Sequence, residues 1–103
     1  MDETAEVLPN LSDFSAMLNQ SFRAGHSNGE FETELVEVKV VTANEEQENY
    51  SLLFRGPTDA PAKQGIYEMS AAGKKPFSIF LVPVSKDDSG LYFEAIFNNL
   101  VKK

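Results

Sequence analysis

Only one histidine, His26, occurs in the 103-residue chain, and there is no cysteine. A Ser-His-Asp triad would have to use His26, and a three-histidine metal site is impossible. Thiolate nucleophiles, thiolate zinc sites, disulfides and iron–sulfur clusters are excluded outright. His26 stands beside a turn, where a solvated side chain explains it. Sixteen Asp and Glu residues keep a two-carboxylate glycosidase compatible with the inventory. Most of them, however, alternate along strand-like segments or sit in loops, where nothing advertises the burial that raises a catalytic pKa. Three tyrosines and no tryptophan offer little from which to build a sugar platform. Asp87-Asp88-Ser89-Gly90 has the composition of a calcium-loop fragment without its spacing or closing glutamate. It reads as a tight turn in which Asp and Ser bond the backbone and Gly supplies positive φ. No glycine pattern of the dinucleotide or Walker type occurs. Catalytic residues, cofactor and metal are therefore all expected to be none.

The polar residues that invite another explanation bracket one loop, in Arg55-Gly56-Pro57 and Gln64-Gly65-Ile66-Tyr67. Arg55 is the only arginine besides Arg23, and an arginine at a strand end can clamp a carboxylate through two parallel hydrogen bonds. Its commoner use is to pin a loop or pair with a glutamate of the same chain. Arg55, Gln64 and Tyr67 are the candidate binding residues.

Charge narrows the partners. The net charge is −7, with eleven acids against two bases up to residue 48 and five against seven after it. The bases are few and scattered, which argues against binding a phosphate backbone. The acidic start, Met1-Asp-Glu-Thr-Ala-Glu, does not read as a secretory signal, and no run approaches the roughly 20 apolar residues that span a bilayer. A cytoplasmic protein is expected, with a protein partner, no nucleic acid and no membrane. The chain length suits one domain.

The elements that position these residues follow from periodicity. Residues 1–10 form a polar leader with a short extended segment at Val7-Leu8. Residues 10–19 predict a helix, with Asn10 or Ser12 as cap and Leu11, Phe14, Met17 and Leu18 on one face. Too short to hold alone, it must cap a sheet or barrel end. Strands are predicted over 21–25, 30–43, 50–55, 65–70, 77–84 and 91–97. Asn28-Gly29 marks a hairpin between the first two. Adjacent Leu35 and Val36 break the alternation of the second and predict a β-bulge or a passage between layers. The acidic segment 44–49 reads as a mobile loop, and 77–84, apolar on both faces, as a strand sandwiched between layers with Pro83 near its end. Short connections favour an antiparallel meander. The expected fold is mainly β: a small antiparallel closed barrel or two-layer sandwich of about six strands with one short N-terminal helix. The single β domain spans 11–98 and a C-terminal tail 99–103.

Tyr50-Ser-Leu-Leu-Phe-Arg-Gly-Pro57, Gln64-Gly-Ile-Tyr67, Phe80-Leu-Val-Pro-Val84 and Tyr92-Phe-Glu-Ala-Ile-Phe-Asn98 resemble the signature of a small uncharacterised bacterial domain family of unknown function. The helix over 11–18, Phe22 and Leu35-Val-Glu37 also fit, so the resemblance covers about residues 11–98. It implies a place beside tail-fibre-like and collar-like proteins of phage-derived systems, and it assigns no catalytic residue. Two functions are thus expected to compete. The leading one is a non-catalytic interaction or assembly module, accessory to a phage-tail-like structure and presenting an exposed strand edge. The other is a small-ligand-binding barrel or minor enzyme with a site near Arg55, which needs a concave pocket there.

Overall fold

The computed structural model describes residues 9–26, 29–44 and 46–100; the expected leader segment at Val7-Leu8 lies outside them. Helix α1 (Leu11–Ala16) begins at Asn10, the first of the two expected caps. The Asn10 side chain accepts a hydrogen bond from the Asp13 N–H at 2.8 Å, and the Asp13 carboxylate accepts one from the Asn10 N–H at 3.0 Å. This reciprocal box satisfies donors that the first turn leaves open. The helix is shorter than its apolar pattern predicts. Met17 leaves helical geometry and Asn19 takes a left-handed φ of 73°, a conformation asparagine tolerates better than most residues. The Asn19 N–H then donates to the Leu35 carbonyl at 2.7 Å, and the Leu35 N–H to the Gln20 carbonyl at 3.0 Å. The end of the helix is thereby stitched to the second strand.

Six strands follow: β1 (Ser21–His26), β2 (Gly29–Ala43), β3 (Gln47–Gly56), β4 (Gly65–Ser70), β5 (Phe77–Asp87) and β6 (Gly90–Leu100). They form one antiparallel sheet in the order β1-β2-β3-β6-β5-β4, closed into a barrel by pairing of β4 with β1. Of the two expected architectures the ring is the one adopted. It consists of two three-stranded meanders joined by a crossover over 57–64, so the expected continuous meander is interrupted once. The free edge of β3 is taken along its whole length by β6, from Gln47↔Leu100 to Gly56↔Leu91, which leaves β4 to pair elsewhere. Half of the acidic 44–49 segment is strand: Gln47, Glu48 and Asn49 belong to β3. The Asn44 side chain caps the tight return by accepting from the Glu46 and Gln47 N–H groups, both at 2.8 Å. β6 likewise runs to Leu100, into the expected tail.

Periodicity locates one of the three register slips and places Pro83 too near the strand end. The register slips between Leu35 and Glu37, the bulge expected from adjacent apolar residues, and the strand stays in the same sheet instead of changing layers. Pro83 sits inside β5 at another slip, between Pro83 and Ser85; a bulge tolerates a missing N–H. The reading of 77–84 as sandwiched is corrected. Phe77, Ile79 and Leu81 are buried, but Phe80 and Val84 are about half exposed, because a single ring has only one covered face.

That face is filled. Phe22, Leu35, Leu52, Phe54, Tyr67, Met69, Leu81 and Phe93 are almost wholly buried, and Phe22 meets Phe54 and Phe77 edge-on at 5.9 Å. Thr33, the one buried polar residue among those described, donates its hydroxyl to the Phe22 carbonyl at 3.0 Å.

The ring is complete only near one end. β5 and β6 pair from Asp87↔Gly90 to Val82↔Glu94, and β1 reaches β2 only as far as Ser21↔Glu34. Beyond those points, among the described residues, β2 and β6 pair with β3 alone. Residues 37–43, 47–53 and 95–100 therefore extend as a three-stranded arm, consistent with the elongated extents of 43 × 31 × 22 Å. Phe14 of α1 fills the flared mouth. It is fully buried, with ring centroids 5.6 Å from Phe77, 5.8 Å from Phe97 and 6.3 Å from Tyr50. Phe14→Ala is expected to cost about 3–5 kcal/mol, a large part of the stability of a small domain, as a lower urea midpoint. A loss under about 1 kcal/mol, the size of an average single substitution, would mean that the mouth is not packed.

Candidate interaction surface

The residues singled out in the sequence all lie at the complete end of the barrel, yet they do not converge. Arg55 points outward from β3. It sits opposite Glu34 in register, and its guanidinium bonds the Glu34 carboxylate at 2.5 Å. Its aliphatic stem lies over Gly90, where an added Cβ would stand 2.7 Å from Arg55 Cγ and collide with the Gly56 carbonyl oxygen. Tyr67 points the opposite way, into the core, and is 1% exposed. Its hydroxyl donates to the Lys63 carbonyl at 2.6 Å, pinning the turn that carries Gln64, which is itself exposed. Arg55 and Tyr67 thus occupy opposite faces of the sheet on strands that are not neighbours.

The same end explains other residues. His26 is not a solvated turn residue. It is half buried, with its ring 4.7 Å from that of Tyr67, and it lies so close to Gly65 that an added Cβ there would stand 2.8 Å from His26 Nε2. Phe31 and Phe93, stacked at 5.6 Å, complete the seal around Tyr67. The 87–90 turn works as expected through Asp87, whose carboxylate accepts from the Ser89 and Gly90 N–H groups at 2.8 and 3.2 Å. Gly90 does not supply positive φ; it is required by the close approach of Gly56. No group of three or more His, Asp or Glu side chains among the described residues is placed to hold a metal.

A separate feature lies on the outer face of the arm. Two adjoining shallow grooves, about 350 and 270 Å³, share Lys39, Ser51 and Glu94. Leu53 and Val84 lie toward one end, Val41 and Ile96 toward the other. Val41 and Ile96 are 67% and 65% exposed. Val41 is the extra residue of a second register slip, between Val40 and Thr42, two positions on from the outward Lys39. These residues escaped the sequence reading although signals were present. Val40 and Val41 are consecutive apolar residues in an alternating strand, and Ile96 breaks the polar parity of β6. Both imply outward apolar side chains once no second layer exists to cover them.

Residues 9–97 match the model of a family described as Domain of unknown function (DUF6916). No curated protein and no solved structure matches the chain. No helix among the described residues is long and apolar enough to cross a membrane.

Two measurements check the sealed end. Gly90→Ala is expected to destabilise by about 1–3 kcal/mol, since backbone cannot yield as a side chain does, whereas Arg55→Ala should cost about 1 kcal/mol or less for a partly exposed pair. Equal costs would contradict the geometry. Burial raises the pKa of Tyr67 above its ordinary 10.0. Tyr50 is raised as well, first by burial and then by Glu48 and Asp13. A raised phenol pKa favours the fold below the unfolded value, and that stability is lost as pH rises through the folded value. The thermal midpoint should therefore be insensitive to these groups near neutrality and fall above about pH 10, with a smaller fall in the Tyr50→Phe/Tyr67→Phe double variant. An unchanged alkaline fall in that variant would contradict the assignment.

Proposed function

We propose that this chain, which belongs to the family Domain of unknown function (DUF6916), is a non-catalytic interaction or assembly module that meets a protein partner through the outer face of its arm. The observation that carries this reading is the pair of exposed apolar side chains, Val41 and Ile96, on a sheet face with no second layer. The grooves around them mix apolar side chains with Lys39, Ser51, Glu94 and Asn98, a composition suited to a protein surface. A role accessory to a phage-tail-like structure is the setting we favour, and it rests on the sequence resemblance alone. A cytoplasmic location accords with a chain free of cysteine. The alternative, a ligand-binding barrel or minor enzyme near Arg55, has less support, since Arg55 is engaged by Glu34 and Tyr67 faces the other way.

Replacing residue 41 or 96 by a photoreactive amino acid in the native host tests this reading. Irradiation is expected to give a discrete protein adduct from both positions and none from Lys74, on the turn between β4 and β5. Ile96→Glu combined with the probe at 41 should abolish the adduct. No adduct from either arm position, or the same adduct from Lys74, would overturn it.

A further inference from the structure

The arm has an edge as well as a face. The Leu35 N–H and C=O point away from β3, toward Gln20 and Asn19. Antiparallel pairs alternate, and partners share the same character. Leu35 pairs with Phe54, Val38 with Leu52 and Val40 with Tyr50, so the backbone groups of Val38 and Val40 point to the same side as those of Leu35. Beyond Leu35, β1 has turned away, and among the described residues no strand pairs with that side of β2. The segment Val36-Glu37-Val38-Lys39-Val40 is rich in β-branched residues, and Val40 is 49% exposed. Neither bulge interrupts Glu37–Val40, because the extra residues of the two slips, Val36 and Val41, fall on either side of it. Such an edge is a template for another strand.

We propose that a second copy of this chain supplies that strand, with the two β2 edges pairing antiparallel about a two-fold axis at Val38. The charge pattern selects this partner and register. Centred on Val38, the pairing sets Glu37 of one copy opposite Lys39 of the other, twice, on the outer face. Both side chains are exposed, and neither is in an ion pair among the described residues. On the opposite face Val38 meets Val38 of the other copy, with the half-exposed Val40 beside it. The hydrogen-bonding parity agrees: Val38 faces Val38 with its backbone groups turned to the partner, and Glu37 faces Lys39 as a non-hydrogen-bonded pair, where side chains approach most closely. A slip of one residue sets each lysine against a valine, and the pairing is self-complementary, as a two-fold interface requires. Only about four residues per copy take part, because the bulge at Val36 and the stitch from Asn19 and Gln20 to Leu35 block further zipping. The dimer is therefore expected to be weak and concentration-dependent.

This inference rests on the reading of the chain as an assembly module but uses the edge rather than the grooved face. Sedimentation of the full chain from low micromolar to near-millimolar concentration is expected to show a reversible monomer–dimer equilibrium. Glu37→Lys turns both charge pairs repulsive and should raise the dissociation constant about tenfold. Glu37→Lys/Lys39→Glu restores both pairs and should return it close to the original value. Circular dichroism and the urea midpoint identify any variant that fails to fold, and Asp88→Lys, the same charge change on the exposed turn between β5 and β6, serves as a folded control. A chain that stays monomeric overturns the proposal, whether the edge is open or covered by the chain's own termini. So does a dimer indifferent to Glu37→Lys, or one that the double exchange fails to restore. A monomer that still gives adducts through residues 41 and 96 defeats the edge pairing alone and leaves the interaction module standing.

Discussion

A sheet wound into a ring can satisfy its strands only while they remain side by side. In this chain β5 and β6 part after Val82↔Glu94, and an aromatic side chain then takes over from the ladder. Phe14, carried by a two-turn helix that could not stand alone, packs between Phe77 of β5 and Phe97 of β6. The capping box at Asn10 and the left-handed turn at Asn19 give that helix its start and its stop. The hydrogen bonds from Asn19 and Leu35 then hold it over the mouth. Without this plug the flared end would expose the interior; with it, three strands can run on past the barrel.

The arm is the consequence that bears on function. Past the point where β1 and β5 leave, β2, β3 and β6 form a sheet with one face toward Phe14 and Tyr50 and the other toward solvent. Surplus apolar side chains on the wet face, and backbone groups along β2 that no described residue claims, are the two features that a domain of this size has little reason to keep for stability alone. The opposite end behaves differently. There Gly56, Gly65, Gly90, Arg55, His26 and Tyr67 are each accounted for by a close backbone approach, an ion pair, a stacked ring or a hydrogen bond. The motifs that made this end conspicuous describe how the ring is closed.

Local features were legible in the residues. The Asn10 cap, the slip at Leu35-Val36, the Asp87 turn and the six strands all follow from spacing over a few positions. What was not legible depends on distant partners. Nothing near Arg55 announces that Glu34 will stand opposite it, since that follows from a register set by the whole of β2 and β3. The pairing of β3 with β6, and the crossover it forces, are equally non-local. Apolar residues on both faces of 77–84 suggested a second layer, because periodicity reports apolarity without reporting what covers it. The candidate surface stayed hidden for the same reason: Val41 and Ile96 matter only because the neighbouring ladders stop before reaching them.

Residue-resolved amide hydrogen exchange on the dilute full chain tests the central claim, that β2 is covered along its first half and open along its second. The account predicts strong protection for the Leu35 amide, which is bonded to Gln20, and for Glu37 and Lys39, whose alternation turns them toward β3. The Val38 and Val40 amides should exchange fast. Uniform protection along β2 at low concentration would mean that the edge is already occupied, and would contradict both the arm as a free surface and its use by a second copy.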